Sequence, residues 1–263
     1  MFDDKKILRI ANSIPGRQGI AVERDDETVL MDYNSDEIFP SASTIKLFIL
    51  WSVYKKINDG LLNKNELIPI NDTPRVVGCG ILQNLATPDL ELTVSDIANL
   101  MIVLSDNVAT NLMIDLAGMD YINSEIKKYG FNKTKLERHM MDGDARERGL
   151  DNYTTASEQI KILKNIERHE DISLDLRNDM LEMLSNQILT DHAGQYLPLD
   201  YKFAHKTGNL AATLHDTGIL TTPKGKYYIS ILTDDLEDIV EGKKVMNLLS
   251  EEIFNQIRLY EDK

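Results

Sequence analysis

The stretch FPSASTIKLFILWSVYKKINDG, residues 39–60, decides the reading of this chain. A helix is predicted from Ser43 to about Asp59, with Gly60 as its stop. Its first half (Ile45, Leu47, Phe48, Ile49, Leu50, Trp51) is apolar nearly all round, as in a helix buried on every side. Ser43 and Lys46 lie three residues apart, so a hydroxyl and an amine share one helix face. A serine hydroxyl is a weak nucleophile and needs a base. A lysine can serve where burial disfavours its ammonium. The helix start adds backbone N–H groups and a positive dipole end, which suit a developing oxyanion. The same spacing recurs at Ser52/Lys55 and Ser124/Lys127. Ser43 is singled out by its place at a helix start, after Phe39-Pro40 and before a buried helix.

Two further elements carry chemistry. Ser105-Asp106-Asn107 interrupts an apolar region between a helix capped by Thr93 and Asp96, running to about Leu104, and a helix over Val108–Ala117. It reads as a turn with N-cap chemistry, or as a proton-relay hydroxyl on Ser105 with a substrate-binding amide on Asn107. Three polar residues between two apolar helices are costly unless they are hydrogen-bonded or face a cleft. Lys206-Thr207-Gly208 ends a predicted strand. It is either a charged strand end with a glycine turn, or a carboxylate-binding pair, Lys206 and Thr207. In the second reading Gly208 allows close backbone approach and the Asn209 N–H faces an oxyanion.

Outward from these elements, strands are predicted at 18–23 and 28–33, joined by the charged turn 24–27, and again at 202–207, 216–222 and 227–233. Helices are predicted near 121–129, 155–169 and 175–188, and finally over 238–260. Pairing the terminal segments gives one antiparallel five-stranded sheet flanked by helices, with the middle helices as a second lobe. The fold class is thus α/β of the α+β type. The lobes are expected at 1–41 with 187–263, and at 42–186.

The 263 residues are 42% hydrophobic and 27% charged, an ordinary globular composition. A net charge of −14 makes nucleic acid and anionic lipid poor partners. The single cysteine, Cys79, forms no intramolecular disulfide and reads as a small inert thiol between glycines. The five histidines (139, 169, 192, 205, 215) are scattered, and Gly78-Cys79-Gly80 lacks the context of a phosphate loop. Neither a metal nor a cofactor is expected. No stretch reads as a signal peptide or membrane span. The expectation is a monomer, cytoplasmic or else extracytoplasmic with its signal removed.

The ordered trio SxxK, SDN and KTG, at Ser43, Ser105 and Lys206, resembles the signature of class A β-lactamases and penicillin-binding proteins. The likeness extends to Phe39–Ala42, to residues 92–111, and to Asn152-Tyr-Thr-Thr155, which is similar to the end of that family's omega loop. It implies a β-lactamase/transpeptidase-like fold with an all-helical lobe, and a β-lactam or related acyl compound as substrate. It also implies roles. Ser43 attacks the lactam carbonyl, with Lys46 as base or relay. Ser105 passes a proton to the leaving nitrogen. Asn107 holds the side-chain amide, Lys206 and Thr207 hold the carboxylate, and the N–H groups of Ser43 and Asn209 form the oxyanion hole.

The chain departs from that pattern after Arg138-His139. There the family places a deacylating glutamate, and this chain has Met140, which cannot accept a proton. Asp142, Asp144 and Glu147 lie nearby as possible deacylation bases or as solvated loop charges, and His139 is another candidate. The neck partner of Arg138 is either Asp151 or Asn152. No arginine follows KTG on the next strand, where His215 stands. A β-lactamase-like serine hydrolase with slow deacylation is the leading expectation. A D-alanyl peptidase or transpeptidase, and a non-hydrolysing penicillin-binding sensor, are the alternatives.

Overall fold

The computed structural model describes residues 2–70, 73–86 and 89–262. The chain opens with α1 (Asp4–Ala11), β1 (Arg17–Arg24), β2 (Val29–Tyr33) and β3 (Phe39–Pro40). A 3-10 turn (Ala42–Ile45) runs into α2 (Lys46–Asn58), followed by β4 (Leu67–Pro69) and β5 (Glu91–Thr93). Then come α3 (Val94–Val103), α4 (Asn107–Ala117), α5 (Met119–Lys128), α6 (Gly143–Glu147) and β6 (Tyr153–Thr154). Helices α7 (Ala156–Arg168) and α8 (Leu174–Ser185) lead to β7 (Lys202–Leu210), β8 (Thr213–Thr222), β9 (Gly225–Asp234) and α9 (Ile239–Glu261).

The chain divides into two compact units. The first comprises Met1–Thr44, Thr154–Lys164 and Leu189–Lys263. It holds the five-stranded antiparallel sheet in the order β2-β1-β9-β8-β7, so β7, which carries Lys206–Asn209, is an edge strand. Ile20 and Val22 of β1 lie opposite Ile231 and Ile229 of β9. These alternating side chains pack with Met246, Leu249, Ile253 and Ile257 of α9, and with Ile7 and Ala11 of α1, into one apolar core. β8 starts three residues before the predicted Asp216, because Thr213–His215 already pair with β7 and the polar His215 is buried inside the ladder. The segment Thr154–Lys164 also belongs to this unit, although it falls inside the expected 42–186. Polar contacts tie it there. Ser157 Oγ donates to Asp36 at 2.7 Å, Gln159 Nε2 donates to Thr44 Oγ1 at 3.0 Å, and Lys164 pairs with Glu23 and Glu27.

The second unit comprises Ile45–Tyr153 and Asn165–Ile188. Its axis is α2, buried without a break from Lys46 to Lys55, as its all-round apolar sequence implies. Trp51 packs edge-on against Tyr129 at 5.2 Å and against His169 at 5.7 Å, and Phe48 against Phe131 at 5.0 Å. The Thr93/Asp96 capping box closes the start of α3, satisfying backbone N–H groups that have no partner inside the helix. Among the described residues, no helix is long and apolar enough to cross a membrane.

Candidate active site

In the second unit Lys46 is fully buried. Its Nζ donates to the Ser105 carbonyl at 2.7 Å, to Ser105 Oγ at 3.0 Å and to Asn107 Oδ1 at 3.1 Å. A buried lysine is tolerable only with partners of this kind. The Ser105 backbone has a φ of +52°, a left-handed conformation that an L residue adopts only when its surroundings impose it.

Asp106 supplies that constraint. Its Oδ1 accepts from Ala109 N at 3.0 Å, which makes it the N-cap of α4. Its Oδ2 accepts from Ile81 N at 2.7 Å and Leu82 N at 2.8 Å, drawing the loop 77–82 against the corner. That loop bonds Asn107 twice: Asn107 N donates to the Cys79 carbonyl at 3.1 Å, and Asn107 Nδ2 donates to the Val77 carbonyl at 3.1 Å. Such closeness requires glycine. A Cβ at Gly80 would stand 2.2 Å from Asp106 Cγ, and one at Gly78 would stand 2.7 Å from Asn107 Nδ2. So Asp106 does the capping while Ser105 and Asn107 face Lys46.

The loop 136–152 is built around Arg138. Its guanidinium bonds Asp151 Oδ1 through Nε at 2.8 Å and NH2 at 2.7 Å, and donates to the His139 carbonyl at 3.1 Å. Asn152 instead accepts the Glu137 and Arg138 amides, so both neighbours serve the neck, one by charge and one by amide. Met140 is buried, and its backbone is gripped on both sides. Its N donates to Asn111 Oδ1 at 2.7 Å, and its carbonyl accepts from Asn111 Nδ2 at 3.2 Å. Asp142 caps α6 through Ala145 N, Asp144 and Glu147 are solvent-exposed, and His139 bonds Asp115 at 2.8 Å.

In the first unit Ser43 is half-buried in the 3-10 turn, after Ala42 at φ +46°. Gly208 of β7 lies against it: a Cβ there would stand 3.2 Å from Ser43 N, Ala42 Cβ and Thr44 Cγ2. Any larger residue would crowd the serine backbone by a few tenths of an ångström. Lys206 and Thr207 are buried, Lys206 Nζ donates to the Thr207 carbonyl at 2.8 Å, and Asn209 is exposed. His215 lies opposite Gly208 on β8. Its Nε2 donates to the Pro40 carbonyl at 2.7 Å, and its Nδ1 accepts from Thr233 N at 3.1 Å. Burial holds the imidazole below its ordinary pKa, outweighing the Pro40 and Leu214 carbonyls that favour the charged form. His215 is therefore a neutral pin between β8, β9 and β3, not a cation for a substrate carboxylate. Sequence reasoning missed Asn111 and the Gly78/Gly80 pair. The paired glycines were the one visible signal; the Asn111 contact had none, because it joins residues far apart in the chain.

A profile described as "Beta-lactamase enzyme family" matches residues 4–257. Beta-lactamase AER-1 of Aeromonas hydrophila is 25% identical over 219 residues, spanning 79% of this chain and 70% of its own. A β-lactamase of Streptomyces albus G is 28% identical over 246 residues, spanning 89% of this chain and 77% of its own. The crystal structure of a β-lactamase from Sphaerobacter thermophilus superposes with a TM-score of 0.90 at 27% identity, covering 98% of each chain. PBP-A, at 23% identity, shares the fold with a TM-score of 0.88, covering 97% of this chain and 95% of its own. A mutant of PBP-A has been solved as its acyl-enzyme complex with penicillin G. With a profile match that runs from α1 into α9, the chain belongs to the beta-lactamase enzyme family.

Proposed function

We propose that this protein opens β-lactam rings by forming an acyl-enzyme on Ser43, and that release from Ser43 is the slow step. The observation that carries the reading is the buried Lys46 amine bonded to both Ser105 Oγ and Asn107 Oδ1, three residues along the chain from Ser43. Lys46 acts as the neutral amine, keeping two donated bonds and turning its lone pair to the Ser43 hydroxyl. It takes the Ser43 proton as Oγ attacks the lactam carbonyl carbon, and passes a proton on to Ser105 Oγ. The oxyanion takes hydrogen bonds from the Ser43 and Asn209 N–H groups. The carbonyl–nitrogen bond then breaks, and Ser105 delivers a proton to the leaving nitrogen. The product is an ester on Ser43. Asn107 holds the side-chain amide, while Lys206 and Thr207 hold the carboxylate.

Deacylation needs a water and a general base. Met140 offers a thioether, and Asn111 fixes its backbone, so the neighbouring carboxylates do not swing into its place. Asp142 is occupied as a cap, and Asp144 and Glu147 point to solvent contact rather than burial. The experiment is intact mass spectrometry after benzylpenicillin. The expected result is one adduct of the drug's full mass, absent from Ser43→Ala and persisting well beyond the acylation time. No adduct on the wild type refutes the reading. The missing base favours a second reading, a D-alanyl peptidase or transpeptidase, which predicts release of D-alanine from a D-alanyl-D-alanine peptide.

A further inference from the structure

Gln159 stands in the first turn of α7, fully buried, in the same unit as Ser43. Its Nε2 donates to Thr44 Oγ1 at 3.0 Å and to Thr154 Oγ1 at 3.1 Å. The Thr44 hydroxyl gives its own proton to the Ser41 carbonyl at 2.7 Å. It can therefore only accept from Gln159, which fixes the end of the amide that faces it. The amide oxygen is left buried, with no hydrogen-bond partner among the described residues. Such an acceptor costs stability, and a fold that carries it calls for an explanation beyond packing.

What the amide holds is the turn of the nucleophile. The Thr44 N–H and hydroxyl both end on the Ser41 carbonyl, at 3.0 and 2.7 Å, closing a turn with Ser43 inside it. Ala42 enters that turn at φ +46°, a left-handed backbone that an L residue takes only when its surroundings impose it. With the hydroxyl bonded on both sides, the Thr44 rotamer is fixed, and its methyl lies against β7. A Cβ on Gly208 would stand 3.2 Å from Thr44 Cγ2 and from Ser43 N alike. Thr44 thus adjoins both segments to which the function above assigns an oxyanion donor. Ser43 precedes it in the chain, and Asn209 follows Gly208. We infer that Gln159 is a positioning residue for acylation, holding the Ser43 and Asn209 N–H groups at their working separation through the Thr44 hydroxyl. The inference rests on acylation at Ser43. An oxyanion forms only as attack proceeds, so this device acts on the transition state and not on the bound drug.

The test follows benzylpenicillin acylation by quenched-flow mass spectrometry over a range of drug concentrations. Gln159→Met keeps the shape and removes the amide. It is expected to lower the limiting acylation rate about tenfold, the scale of one misplaced hydrogen bond, with little change in the half-saturating drug concentration. Its Tm is expected to stay within about 2 °C of the wild type, since the unpartnered oxygen leaves with the two bonds. Thr44→Val is expected to slow acylation by a similar factor. The double variant is expected to be no slower than either single one, because both remove the same bond. A wild-type limiting rate in Gln159→Met, a loss confined to half-saturation, or single losses that multiply in the double variant overturns the inference and leaves acylation at Ser43 standing. A slowed rate matched by a fall in Tm of more than about 5 °C marks a merely structural residue and overturns it as well. No adduct on the wild type overturns the acylation chemistry and the inference together.

Discussion

Replacing Asp106 by asparagine tests whether one carboxylate holds the corner that carries Ser105 and Asn107. The wild-type side chain is fully buried and takes three backbone N–H groups, two on Oδ2 and one on Oδ1. Asparagine has one acceptor oxygen. Placed toward Ala109, it leaves the amide NH2 facing the Ile81 and Leu82 donors. Placed toward those donors, it abandons the N-cap of α4. The second orientation loses less. A lost cap costs about 1–2 kcal/mol, and a buried donor set against another donor adds about 1–3 kcal/mol. The expected loss is about 2–5 kcal/mol, or a fall in Tm of roughly 4–20 °C for a chain of this size. Asp106→Ala, which abandons every acceptor, is expected to lose more. Trp51 is the only tryptophan, is buried, and lies in the same unit, so its fluorescence in a urea titration reports on that unit. Hydrogen exchange at Ile81 and Leu82 reports on the loop. An asparagine variant within about 0.5 kcal/mol of wild type, with unchanged exchange at those amides, refutes the clamp.

Met140→Glu supplies a carboxylate where the family's base belongs, and is expected to shorten the life of the Ser43 adduct at least tenfold by time-resolved mass spectrometry; an unchanged lifetime refutes the assignment of slow release to Met140. His215 has a folded pKa below its ordinary 6.5, so the unfolded chain binds the extra proton first and stability falls as pH drops below about 6.5. His215→Gln is therefore expected to lower Tm at pH 7.5 but to narrow the gap between pH 7.5 and pH 5.5; an equal gap in both proteins counts against a buried neutral imidazole. Arg138→Lys keeps the charge but loses the two-nitrogen grip on Asp151, a pair about nine-tenths buried at the side-chain level. It is expected to cost about 2–3 kcal/mol and to speed proteolysis between residues 139 and 150, and intact digestion kinetics there contradict it.

Much of this was legible in the sequence. Local signals worked where the physics is local: the Thr93/Asp96 capping box and the all-round apolar run of α2. They failed where tertiary contacts decide. The strand predicted from Asp216 leaves His215 outside, yet the ladder begins at Thr213 and buries both polar residues with their own partners: Pro40 and Thr233 for His215, His205 and Ala193 for Asp216. Helix α1 was overlooked, since so short a segment gains its stability by burying Ile7 and Ala11 against α9 rather than from its own propensity. The candidate residues themselves stood out as types in an order. What positions them did not. Gln159 bonding Thr44 beside Ser43, and Asn111 gripping Met140, are ordinary polar residues whose importance appears only once the chain has folded.

The sheet of the first unit joins strands from opposite ends of the sequence, with β1 paired to β9. During synthesis the roughly 200 residues between them take about 10–40 s to leave the ribosome. Through that interval the β1–β2 hairpin has one finished edge and one edge, from Gln18 to Glu23, whose partner has not been made. The second unit, drawn mostly from residues 45–153, has no such wait. Order of birth therefore separates the two units: the helices can be complete while β1 is still an open strand that a chaperone, or another nascent copy, is free to meet.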